Sequence, residues 1–117
     1  MPYVDGFLTP VPAENREAYI KLAEKSAAIF KRNGALSAVE CWGDDVPEGE
    51  VTSFPMAVKL QPGETVVFSW IIWPSRAARD EGMGRSMQDF EKEFADETMP
   101  FDGKRMMFGG FETIVDE

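Results

Sequence analysis

Residues Glu64–Trp73 constrain this chain more than any other segment. Val66, Val67, Phe68, Trp70, Ile71, Ile72 and Trp73 leave only Thr65 and Ser69 polar behind the leading glutamate. β-branched and aromatic residues in an unbroken run of this length predict a strand covered on both faces, because a half-solvated strand alternates apolar with polar. The closing segment repeats the pattern. After a turn at Asp102-Gly103, its two faces read Met106, Phe108, Gly110, Ile114 and Met107, Phe111, Val115. The sheet that holds these strands needs two apolar covers.

The rest of the chain supplies the other elements of an α+β fold. Tyr3–Val11 reads as a strand ended by Pro10 and Pro12. From Ala13 to Asn33, the residues Tyr19, Leu22, Ala23, Ser26, Ala27 and Phe30 recur on one helical face, with Pro12 at the start and Gly34 placed to cap the end. Leu36–Gly43 reads as a second strand. Ser75 is a candidate N-cap for a second long helix whose core face carries Met83, Met87, Phe90 and Phe94, and whose middle is weakened by Gly82 and Gly84. The final strand is expected over about Lys104 to Val115.

Strand, helix, strand, strand, helix, strand is the ferredoxin-like βαββαβ order, expected here as one domain over 1–117 with a four-stranded antiparallel sheet. Both long helices then lie on one face of that sheet. The opposite face stays apolar and uncovered, which predicts a homodimer formed by stacking two open faces. Between the second and third strands, Val46–Gly63 is long for a connection. It is expected to hold a short helix capped by Thr52 or Ser53, with Phe54 and Val58 on one face, serving as a lid or as cover for the sheet edge.

Composition removes several function classes. The chain has 12 Lys and Arg against 21 Asp and Glu, a formal charge of -9, which repels phosphate backbones and argues against a nucleic-acid partner. Histidine is absent, so Ser-His-Asp and Cys-His catalysis and histidine-ligated haem or zinc are excluded. No metal or cofactor is implied. The acidic stretch Asp44-Asp45 with Glu48 and Glu50 lacks the spacing of a calcium loop. Cys41 is the single cysteine, fitting a reducing compartment, and neither a membrane span nor a secretory leader is evident; the cytoplasm is the expected location.

Candidate chemistry rests on few residues. Glu40, in a predicted strand between Val39 and Cys41, reads either as a general base or ligand anchor with a pKa raised by burial, or as an edge-strand charge facing water. Asp5 in the first strand is the second candidate carboxylate. Arg105 is its expected partner, because first and last strands neighbour each other in this topology; the pair would hold a polar ligand's carboxylate or serve structure alone. Trp42 and Trp70 read as walls of an apolar pocket beside the sheet, or as core and dimer packing.

The segments Tyr3-Val4-Asp5-Gly6-Phe7, Val39-Glu40-Cys41-Trp42 with Asp44-Asp45-Val46-Pro47, Met56-Ala57-Val58-Lys59, Val66-Val67-Phe68-Ser69-Trp70 and Met99-Pro100-Phe101-Asp102-Gly103-Lys104-Arg105-Met106 resemble the YbaA-like bacterial family, a domain of unknown function numbered 1428. The resemblance covers the chain in motif order. It implies the dimeric α+β barrel superfamily, in which two ferredoxin-like sheets stack face to face. It implies no reaction, since other families on that fold include cofactor-independent monooxygenases, isomerases, haem-degrading enzymes and effector-binding domains. The expectation is a cytoplasmic homodimer binding a small, partly apolar molecule; the alternatives are a cofactor-independent monooxygenase or isomerase, and a structural or regulatory interaction protein.

Overall fold

β1 (Tyr3–Pro12) and β3 (Glu64–Trp73) pair antiparallel over ten positions, from Tyr3 opposite Trp73 to Pro12 opposite Glu64, in the computed structural model, which describes residues 1–117. β2 (Ser37–Trp42) adds to the far side of β3, and β4 (Met107–Glu112) to the far side of β1, giving the antiparallel order β2-β3-β1-β4. The two strands richest in β-branched and aromatic residues are therefore central. A ferredoxin-like α+β sheet results.

A short 3-10 turn (Ala13–Asn15) leads from β1 into α1 (Arg16–Arg32). Its end is fixed by Gly34 at φ 110°, where the Ala35 amide donates to the Phe30 carbonyl at 3.0 Å and the Gly34 amide to Lys31 at 3.2 Å. That left-handed residue lets the chain reverse directly into β2. α2 (Phe54–Ala57) and α3 (Arg76–Glu93) both start at a serine cap, Ser53 being the one used of the two candidates for α2: Ser53 accepts from the Met56 amide and Ser75 from the Ala78 amide, both at 3.1 Å. No helix is long and apolar enough to cross a membrane.

α1 and α3 lie on one face of the sheet. Two small cores form beneath them, Val11, Tyr19 and Val67 near one end and Ala35, Ile71 and Trp73 near the other. Full burial of side chains such as Ile29 and Val67 contributes about 1.5–3 kcal/mol each. The other face carries Val4, Leu8, Phe68, Trp70, Ile72, Met107 and Phe111, of which Phe68, Met107 and Phe111 are openly exposed. α2 shields only one corner of it, setting Phe54 edge-on to Phe68 at a centroid distance of 5.9 Å. The connection between β2 and β3 is thus cover for the open face and not a lid over the helix side.

Two expectations need correction. β4 ends at Glu112 and not near Val115, because Glu112 already pairs with Tyr3 and β1 offers no partner beyond it; Ile114 and Val115 are left exposed. The strand also starts later than Lys104, since Arg105 is drawn into a turn by Asp102. α3, in contrast, runs unbroken through Gly82 and Gly84. Gly82 is buried where a Cβ would meet the Trp73 ring and the Asn33 carbonyl, so its role is close approach to the sheet and not a bend. Gly82→Ala should destabilise the fold by about 1–3 kcal/mol in urea denaturation, whereas Gly84→Ala, with open space around it, should be neutral or stabilising.

Candidate functional site

The first turn of α3 is fastened to the sheet by a buried carboxylate. Asp5, on the helix face of central β1, accepts hydrogen bonds from Trp73 Nε1 at 2.9 Å, from Arg79 Nη2 at 2.9 Å and from Arg79 Nε at 3.1 and 3.2 Å. The guanidinium also covers the Tyr3 ring at 5.2 Å, and Gly110, directly across from Asp5, leaves it room because any Cβ there would strike both Arg79 and Tyr3. Hydrogen bonding to Asp5 raises the arginine's pKa further above its ordinary value. Three N–H groups thus converge on the two oxygens of Asp5, which meets nearly every acceptor direction. Breaking such a buried pair typically costs about 3–5 kcal/mol, so the arrangement holds structure and leaves Asp5 no free valence for a ligand.

The expected Asp5–Arg105 pair does not form. Met107 stands opposite Leu8, so Arg105 falls at the Pro10 end of β1, far along the strand from Asp5. There it donates to both oxygens of Glu64 at 2.7 Å, to Asp102 Oδ2 at 2.9 Å and to the Lys59 carbonyl at 3.0 Å. These bonds hold Glu64 and Asp102 below the usual carboxylate pKa range. Arg105 is a clamp on the segment between α3 and β4, which the Asn15 side chain also grips by donating to the Pro100 carbonyl at 3.1 Å.

That clamped segment roofs a cavity of about 450 Å³ between the sheet, α1 and the second half of α3. α3 is held tight to the sheet at Trp73 and Gly82, and further on Met87 and Phe90, with Phe94 just past its end, line the cavity. Leu22, Ala27 and Phe30 of α1, Phe7 and Ile71 of the sheet, and Phe101 of the roof complete an apolar wall. The polar floor is small. Tyr19 donates its phenol proton to Glu40 Oε1 at 2.6 Å; Thr9 lines the same floor, and Ser69 stands opposite Glu40 in the β2–β3 ladder.

Glu40 is exposed, because β2 is an edge strand and the residue opens onto both this cavity and a second hollow beside Trp42. The apolar walls nevertheless strip water from its carboxylate, raising its pKa above the ordinary glutamate value, while the Tyr19 and Ser69 hydrogen bonds act the other way. Burial first, and then the adjacent carboxylate, pushes the Tyr19 phenol up as well. The arrangement can accept a hydrogen bond or a proton from a molecule in the cavity.

The other expected walls fall elsewhere. Trp42 packs on the Val11, Tyr19 and Val67 core with Arg16 over its ring at 5.5 Å, next to the cavity but not lining it. Trp70 lies on the opposite face of the sheet, 5.6 Å from Phe68. Cys41, opposite Phe68, shares that open face. Glu40 is thus the one anticipated residue in the cavity, and the residues that give it a setting, Tyr19, Thr9 and Ser69, were legible only as a helix-face aromatic and isolated hydroxyls in apolar strands.

Residues 2–103 match the family described as protein of unknown function, DUF1428. The chain belongs to the DUF1428 family. It is 54% identical over 117 residues to the uncharacterized protein YbaA of Escherichia coli K12, and equally to that of Shigella flexneri, covering all of each. Among solved structures, a dimeric ferredoxin-like protein from an uncultured marine organism matches with a TM-score of 0.57 at 11% identity, covering 100% of both chains. Rv0793 from Mycobacterium tuberculosis matches with a TM-score of 0.52 at 15% identity, over 99% of this chain and 98% of that one. These two likenesses establish the ferredoxin-like fold for this DUF1428 chain.

Because the folded pKa of Glu40 is raised, its native state binds more protons than the unfolded chain between the unfolded and folded pKa values, and stability falls as pH rises through that window. The cost is absent below about pH 4, where both states hold the proton. Glu40→Gln, which keeps an acceptor for Tyr19, should therefore raise Tm at neutral pH, with the gain vanishing below about pH 4 in a thermal-denaturation series.

Proposed function

We propose that this DUF1428 protein is a homodimer that binds a small, largely apolar molecule in the cavity between sheet and helices, with Glu40 receiving a hydrogen bond from it. The observation that carries the reading is a hydrogen-bonded carboxylate at the floor of a roofed apolar cavity. A carboxylate left unpaired in such a setting weakens the fold, and a cost of that kind is expected where a group serves a ligand. Cavities of this volume accommodate molecules of metabolite size.

The dimer is supported by the apolar face bearing Phe68, Trp70, Met107 and Phe111, and by the dimeric description of the marine relative in fold. The free Cys41 supports a cytoplasmic setting. A second reading, cofactor-independent proton transfer as in an isomerase or monooxygenase, is favoured by the raised pKa of Glu40, which suits a general base working nearer neutrality.

Ala27 lines the cavity from α1 and faces no strand partner, so Ala27→Phe fills the space without altering the sheet. In a thermal-shift screen of a metabolite library, compounds that raise the Tm of the wild type should leave Ala27→Phe unmoved, since a ligand stabilises only the fold that can bind it. Hits that stabilise both proteins equally, or a library without hits, would count against the cavity as a binding site.

A further inference from the structure

The charges around the cavity are of one sign. Among its lining residues the only formally charged groups are Glu40 and Glu91, and no lysine or arginine lines it. Elsewhere, the carboxylates packed most closely into the fold are paired with arginine: the buried Asp5 with Arg79, Glu64 with Arg105, and Asp89 with Arg32. Glu40 is hydrogen-bonded by the neutral Tyr19 hydroxyl, and Arg16, which shares the hollow beside Trp42, makes its ion pair with Glu17 instead.

The basic side chains close enough to matter are committed to other tasks. Arg16 lies on the Trp42 ring and Arg105 is held by Glu64 and Asp102. Lys25 sits over the Phe94 ring at 6.0 Å, but it pairs with Glu97 and lines a separate hollow. A carboxylate or phosphate entering the cavity would meet two like charges with no counter-ion.

A cation would meet the reverse. Six aromatic rings line the space, those of Phe7, Tyr19, Phe30, Phe90, Phe94 and Phe101. Ring faces attract ammonium groups, and the attraction grows as water is excluded. Glu40 Oε1 is occupied by the Tyr19 hydroxyl, while Oε2 takes no donor from the tyrosine, and an ionised carboxylate has about four acceptor positions in all. The chain's formal charge of -9 adds a field that draws cations toward the mouth.

We propose that the molecule bound in this cavity is an organic ammonium ion, its charged nitrogen at Glu40 and its apolar body among the phenylalanine rings. The assignment rests on the cavity being a binding site, as proposed above, and goes further by fixing the chemical class of the occupant. An ammonium group at Glu40 would give this carboxylate the counter-ion that Asp5 and Glu64 find in arginine. It also replaces the water that the apolar walls exclude, so the same residue that costs the empty protein stability becomes the anchor of the complex.

Three probes of one shape separate the possibilities: 2-(1-naphthyl)ethylamine, 2-(1-naphthyl)ethanol and 1-naphthylacetic acid, titrated calorimetrically into the full chain near neutral pH. The amine should bind at least about tenfold tighter than the alcohol, with the acid weakest, as expected for a charge-assisted hydrogen bond against a neutral one. Glu40→Gln should bring the amine and alcohol to within about twofold of each other while the alcohol affinity is kept, which shows the variant folded and the cavity intact. Glu91→Gln, at the rim, should cost the amine less. An acid that binds as well as the amine, or an amine advantage that survives Glu40→Gln, overturns the ammonium assignment and leaves cavity binding standing. Absence of binding by all three, the neutral alcohol included, overturns both.

Discussion

The contact on which the layout depends is the buried Asp5 carboxylate held by Arg79 and Trp73. Asp5 stands on a central strand, Trp73 ends the next one and Arg79 opens α3, so a single charged group ties three elements together. In a setting shielded from water the pair is tolerable only because nearly every acceptor direction is met, and that requirement fixes where α3 begins over the sheet. Gly82 then lets the helix settle against Trp73. With its first half held down at Trp73, α3 borders the cavity through Met87 and Phe90, and Phe94 just past its end lines the same space.

The two faces of the sheet therefore divide the work. One carries the helices, the anchor at Asp5 and the cavity that ends at Glu40. The other is almost wholly apolar and has only the corner piece around Phe54 for cover. A free chain exposing Phe68, Met107 and Phe111 together would lose the hydrophobic gain that a second, identical face restores, and two-fold stacking lets each copy cover the other with the same residues.

Much of the fold was readable from residue patterns because the physical signals were local. The β3 run from Glu64 to Trp73, the serine cap at Ser75 and the glycine after α1 each depend on neighbours in sequence and appear where the pattern placed them, and of the two residues offered as the cap of the short helix, Thr52 and Ser53, the structure uses Ser53. The site was less legible. Glu40 stood out as a charge inside a strand, but its partner Tyr19 was hidden among the apolar positions of a helix face. The Asp5–Arg105 expectation failed for a register reason: strand neighbourhood was right, yet pairing of Leu8 with Met107 puts Arg105 level with Pro10, five positions along β1 from Asp5. Arg79, the true partner, comes from a helix whose position over the sheet no local pattern states.

We propose that one sheet face serves a ligand while the other serves a twin, and covering the second face is what stabilises the chain. Sedimentation equilibrium of the wild type at micromolar concentration, beside Trp70→Glu, tests it most directly. The account predicts a wild-type species of twice the 13.1 kDa chain mass and a variant that dissociates or fails to remain soluble. A well-folded wild-type monomer of 13.1 kDa at tens of micromolar would contradict it.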